Sequence, residues 1–75
     1  MITKMKVERM RRGYSVREFM NLLRLSRASV YNWESRRAAV PMRRQGEVAR
    51  ILGVKPECLF DGDGVALPLV EDEAV

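Results

Sequence analysis

Arg27, Ala28, Tyr31, Asn32 and Ser35 share one side of any helix that runs through residues 27–35, because Val30 and Trp33, three apart, mark the opposite, apolar side. A guanidinium fork, a phenol and a carboxamide on one helix face can exchange hydrogen bonds with a polar partner, but they do not form a bond-breaking constellation. The 75-residue chain has no histidine, which removes histidine-dependent triads, histidine metal sites and the usual proton shuttle. Its single cysteine, Cys58, excludes an intramolecular disulfide and a cysteine-based zinc site, and is expected to be a small half-buried residue. Asp61, Asp63 and Gly64 share a spacing with the start of a calcium loop. Ala66 stands where such a loop needs glycine and Asp72 where it needs glutamate, so a turn is the better reading. The expectation is a binding protein, not an enzyme, with no metal and no cofactor.

The charge is split along the chain. Residues 1–56 hold all fourteen Lys and Arg against four acids, Glu8, Glu18, Glu34 and Glu47, a net charge of +10. Residues 57–75 hold six acids and no base, a net charge of −6. A basic body with an acidic extension fits a polyanion-binding domain. Arginine outnumbers lysine, which favours forked contacts to phosphates and bases over simple solubility. Composition alone leaves a merely solvated basic surface equally open. The length allows one small domain. The longest uncharged apolar stretch, residues 65–70, is far short of a membrane span, and Met1 to Lys6 carry no signal-peptide pattern. With one cysteine, the expected setting is reducing and cytoplasmic.

The elements that would position these side chains are short helices. Lys4 to Arg12 is compatible with a helix stopped by Gly13. Ser15-Val16-Arg17-Glu18 is a capping box, and Tyr14 and Phe19 are spaced as a hydrophobic staple, so residues 16–23 should be helical with Phe19, Leu22 and Leu23 inward. Ser26 reads as the cap of a third helix, 27–35, with Leu25 and Val30 as its staple. Only Arg24, Leu25 and Ser26 separate the two, which forces a steep crossing. Pro41 suits the first position of a fourth helix that ends at Gly53. Val54 and Pro56 open a last turn of helix holding Leu59 and Phe60 inward. Asp61 to Gly64 is a turn, and the alternation of Val65, Leu67 and Leu69 suits an edge or dimer strand, with Pro68 excluding a central one.

The run Arg12-Gly13-Tyr14-Ser15-Val16-Arg17-Glu18-Phe19, then Leu25-Ser26-Arg27-Ala28-Ser29-Val30-Tyr31-Asn32-Trp33-Glu34, then Ile51-Leu52-Gly53-Val54 and Leu59-Phe60, resembles the phage-repressor-like helix-turn-helix family, also called Xre-type or Cro-like. The resemblance covers roughly residues 4–60. It departs from the family at Val16, where glutamine is usual, at Met20, where a small residue is, and at Arg24 and Arg36, where glycine is. The resemblance implies that helix 27–35 enters the DNA major groove, N-terminus first. Arg27, Ala28 and Asn32 then occupy the main base-reading positions: Arg27 toward guanine O6 and N7, Asn32 toward adenine N6 and N7, Ala28 against a thymine methyl. A phosphate contact for Arg27 and a solvated amide for Asn32 remain the plainer readings. Ser29 is a base contact or a small residue permitting close approach, and Tyr31 a base contact, groove wall or phosphate hydrogen bond. Phosphates would meet the helix N-terminus after Ser15 together with Arg17, Arg36, Arg37, Arg43 and Arg44. Arg9 and Glu34 are implied as a structural pair.

The fold expected is all-α, a compact bundle of four to five short helices over residues 1–60, containing a helix-turn-helix. An acidic and apolar tail, residues 61–75, extended or disordered, follows as a dimerisation or partner segment. The expected function is sequence-specific binding of double-stranded DNA by a transcriptional repressor, as a homodimer on a pseudo-palindromic site. The alternative is an antitoxin-like or anti-repressor protein-interaction module on the same fold, with a protein partner at the tail.

Overall fold

Local signals in the chain decide where each helix begins. In the computed structural model, which describes residues 2–69, Thr3 caps α1 (Lys4–Arg11), its hydroxyl accepting from the Lys6 amide at 3.3 Å. Helix α2 (Val16–Leu23) opens on the capping box: the Ser15 hydroxyl accepts from the Glu18 amide at 3.1 Å and the Glu18 carboxylate from the Ser15 amide at 2.8 Å. The Tyr14 and Phe19 rings stack 6.4 Å apart as the staple. Helix α3 (Arg27–Glu34) is capped by Ser26, whose hydroxyl accepts from the Ser29 amide at 3.1 Å. Helix α4 (Met42–Leu52) ends on Gly53 in the left-handed conformation, and a 3₁₀ turn, Pro56–Cys58, follows. Pro41, expected as the first helical residue, is instead the extended residue before α4. Helices α1 and α3 each end one residue earlier than the sequence suggested.

The joint between α2 and α3 is held by Arg24, with φ 56° and ψ 50°. That left-handed residue lets the Leu25 amide reach back to the Met20 carbonyl at 2.9 Å, closing α2 and turning the chain at once. The helices then share one all-α core. Met5 of α1, Phe19 and Leu23 of α2, Val30 and Trp33 of α3, and Val48 and Leu52 of α4 are buried together, with Leu59 and Phe60 closing the base. Leu22, expected inward, is instead half exposed; Phe19 and Leu23 are the α2 residues buried in the core, with Val16 and Met20 packed against it.

Residues 61–69, expected as part of a tail outside the domain, pack into it. The Asp61 carboxylate accepts from the amides of Asp63 and Val65, making the turn. The chain then runs back against the N-terminus. The Leu67 amide donates to the Leu59 carbonyl, the Lys4 amide to the Leu67 carbonyl, and the Leu69 amide to the Ile2 carbonyl, with Thr3 and Pro68 paired antiparallel. The residue this return buries is Ala66, not the alternating set Val65, Leu67 and Leu69. Ala66 is small enough to sit against Phe60, with which it forms a bridge. Gly64, at φ 82°, lies against the Val40 backbone, and its carbonyl accepts from the Val40 amide at 2.8 Å. The remainder of the acidic extension, residues 70–75, lies outside the described residues.

Candidate nucleic-acid interface

Helix α3 is locked from behind. The Arg9 guanidinium forks onto the Glu34 carboxylate, Nε to Oε2 at 2.7 Å and Nη2 to Oε1 at 3.3 Å, and donates a third bond to the Tyr14 carbonyl at 2.8 Å. Both side chains are only 8% exposed. The buried Thr3 hydroxyl donates to the Glu34 carbonyl at 2.9 Å. With Val30 and Trp33 in the core, these contacts fix the rotation of α3 about its axis. Arg27, Ala28 and Tyr31 are therefore exposed, and Asn32 is half-buried with its carboxamide unbonded among the described residues.

The remaining site residues fall into two groups. Arg17, Arg36, Arg37 and Arg43 are exposed. The Arg37 guanidinium lies 5.7 Å from the centre of the Tyr31 ring, a cation–π contact that ties the start of the loop after α3 to the face of α3. Ser15, Ser29 and Arg44 are already engaged inside the fold. The Ser15 hydroxyl serves the capping box, which leaves the Val16 and Arg17 amides as the helix N–H groups without an intrahelical acceptor. The Ser29 hydroxyl is bonded to that of Ser26 at 3.1 Å, which sets it at the cap instead of reaching outward. Arg44 donates to the Leu23 carbonyl at 2.9 Å and to the Glu47 carboxylate at 2.6 Å, so it braces the end of α2 from α4. Cys58, expected half-buried, is exposed.

Sequence reasoning missed Lys6. A cleft of about 460 Å³ opens between α1, the start of α2 and α3, lined by Lys6, Arg9, Val16, Arg27, Ala28, Val30, Tyr31 and Glu34. Lys6 and Tyr31 each stand three residues before a member of the Arg9–Glu34 pair, so they lie one helical turn along from it on facing helices. That spacing was a usable signal once the pair was suspected.

The electrostatic outcome is one-sided. Each of the four acids in residues 1–56 is engaged: Glu8 with Arg11, Glu34 with Arg9, Glu47 with Arg44, and Glu18 with the backbone of its own cap. Among the described residues, eleven of the fourteen cations have no carboxylate partner, Lys4, Arg12, Arg24, Arg50 and Lys55 as well as Lys6, Arg17, Arg27, Arg36, Arg37 and Arg43. Of these, Lys6 and Arg27 line the cleft beside α3 and Arg37 lies over Tyr31, a surface suited to an anionic polymer. No helix of the described residues is long and apolar enough to cross a membrane. Comparison of the chain with protein-family models, curated proteins and solved structures finds no match.

Proposed function

We propose that the chain is a sequence-specific double-stranded DNA-binding protein that regulates transcription as a repressor, reading the major groove with α3. The observation that carries this reading is the outward face of α3, with Arg27, Ala28, Tyr31 and Asn32 on it and cations without acid partners at both flanks. An α-helix fits the major groove, where each base pair presents a distinct set of donors, acceptors and methyls. Arg27 reads guanine, Asn32 adenine, and Ala28 meets a thymine methyl. Lys6, Arg17, Arg36, Arg37 and Arg43 hold phosphates, joined by the amides at the start of α2. Arg44 is set aside as a brace. One reading helix contacts few base pairs, so the working form is a homodimer on a pseudo-palindrome with half-sites about 34 Å apart. The exposed apolar side chain of Leu69, in a groove of about 330 Å³ lined also by Val7, Val54, Cys58 and Leu59 with Lys4, Glu8 and Arg11, is the surface for that dimer.

Fluorescence anisotropy with labelled duplexes across a salt series tests the proposal. Five phosphate neutralisations give a slope of log K against log salt of about −4.5. Asn32→Ala should relax preference at one base position of the selected site. Binding that is insensitive to salt, or an Asn32→Ala variant with unchanged preference, would contradict the reading.

A further inference from the structure

We infer that Arg24 and Arg36 bracket the reading helix and hold phosphates on the two strands that border the major groove, each kept in a strained backbone conformation so that its guanidinium stands there. The inference rests on the DNA reading above; it adds Arg24 to the interface and ties both arginines to a cost in stability.

Among the described residues, these two are the non-glycine positions with positive φ, 56° at Arg24 and 67° at Arg36. Each closes a helix in the same way. Arg24 lets the Leu25 amide reach the Met20 carbonyl, and Arg36 lets the Arg37 amide reach the Asn32 carbonyl, both at 2.9 Å. Glycine is the favoured residue at such a position, because in any other the Cβ crowds the following carbonyl. Nothing inside the fold offsets this for either side chain. Both are exposed, and the ion pairs of the described residues use Arg9, Arg11 and Arg44 instead. Neither guanidinium donates a hydrogen bond to a described residue, whereas those of Arg9 and Arg44 each donate more than one. Strain without an internal return marks a position whose use lies outside the monomer.

The placement says what that use is. Arg24 precedes α3 and Arg36 follows it. Arg24 lies three residues before the helix and Arg36 two after it, so each end of the helix that enters the groove carries one exposed cation. The charge around each agrees. Arg24 lines a cleft of about 390 Å³ with Arg44 and Arg50, where the one acid, Glu47, is already paired to Arg44. Arg36 is followed by Arg37, held over the Tyr31 ring.

The test replaces each arginine by glycine, singly and together. Asparagine serves as a second replacement, because it tolerates the left-handed conformation while removing the charge. Thermal melting is measured alongside anisotropy on two probes: a mixed-sequence DNA duplex, and the duplex that the wild-type protein enriches from a random pool. The glycine variants should melt higher than wild type. Each should bind both duplexes roughly tenfold more weakly, with a salt slope shallower by about 0.9 per arginine removed. Glycine variants that melt higher yet bind as tightly as wild type overturn the bracket while leaving the DNA reading in place. Glycine variants that melt lower overturn it too, since the arginines would then be serving the fold. A wild-type protein that binds neither duplex removes the DNA reading, and the bracket with it.

Discussion

Replacing Glu34 by glutamine tests the lock behind α3. The change keeps the size of the side chain and removes its charge, leaving the Arg9 guanidinium, 8% exposed, without the carboxylate it meets at 2.7 Å. Breaking a buried pair from one side costs about 3–5 kcal/mol, because the remaining charge is left buried and unpaired. A domain of this length has a total stability of about 4–11 kcal/mol. The variant should therefore lose a large share of it. In urea denaturation followed by circular dichroism, the midpoint falls while the slope is unchanged. In a thermal scan the melting temperature drops by about 12 °C or more. Replacing both partners with apolar residues, Arg9→Met with Glu34→Leu, should recover most of the loss, since no charge then remains buried. A Glu34→Gln variant that loses less than about 1 kcal/mol, the worth of a solvated surface pair, would refute the reasoning and unlock the rotation of α3 on which the reading face depends.

Three further outcomes follow from the geometry. Gly64→Ala should destabilise the domain by about 2–3 kcal/mol, because the residue sits at φ 82° and a Cβ would stand 2.8 Å from the Val40 carbonyl oxygen; chemical denaturation reads this directly. Ser26→Ala removes the cap of α3 and should cost about 1 kcal/mol of stability in the same assay. Arg44→Ala should lower the melting temperature by removing the bond to the Leu23 carbonyl, whereas Arg43→Ala should leave melting unchanged and weaken DNA binding alike on all sequences.

What could be read from the chain was local. The Ser15–Glu18 box and the Tyr14–Phe19 staple fixed α2 to the residue, because a cap and its partner lie within one turn. Ser26 did the same for the start of α3. What could not be read was long-range. The alternation of Val65, Leu67 and Leu69 suggested an edge or dimer strand, but which face of an extended segment is covered depends on the partner it meets, and this one meets Thr3 and Phe60 from distant parts of the chain. Thr3 itself, fully buried and bonded to the Glu34 carbonyl, was not singled out by the sequence. At the interface, the residue types on α3 were legible from the spacing of Val30 and Trp33. That Arg44 points into the fold and Lys6 lines the cleft required knowing how α1 and α4 approach their neighbours.

The clasp between the Ile2 carbonyl and the Leu69 amide joins segments from nearly opposite limits of the described chain. Closing so long a loop carries an entropy cost that helix-local contacts escape, so this pairing belongs among the last steps of folding. During synthesis, the segment that pairs with Thr3 leaves the ribosome after all four helices have emerged, so the start of α1 lacks this cover until Leu69 has emerged as well.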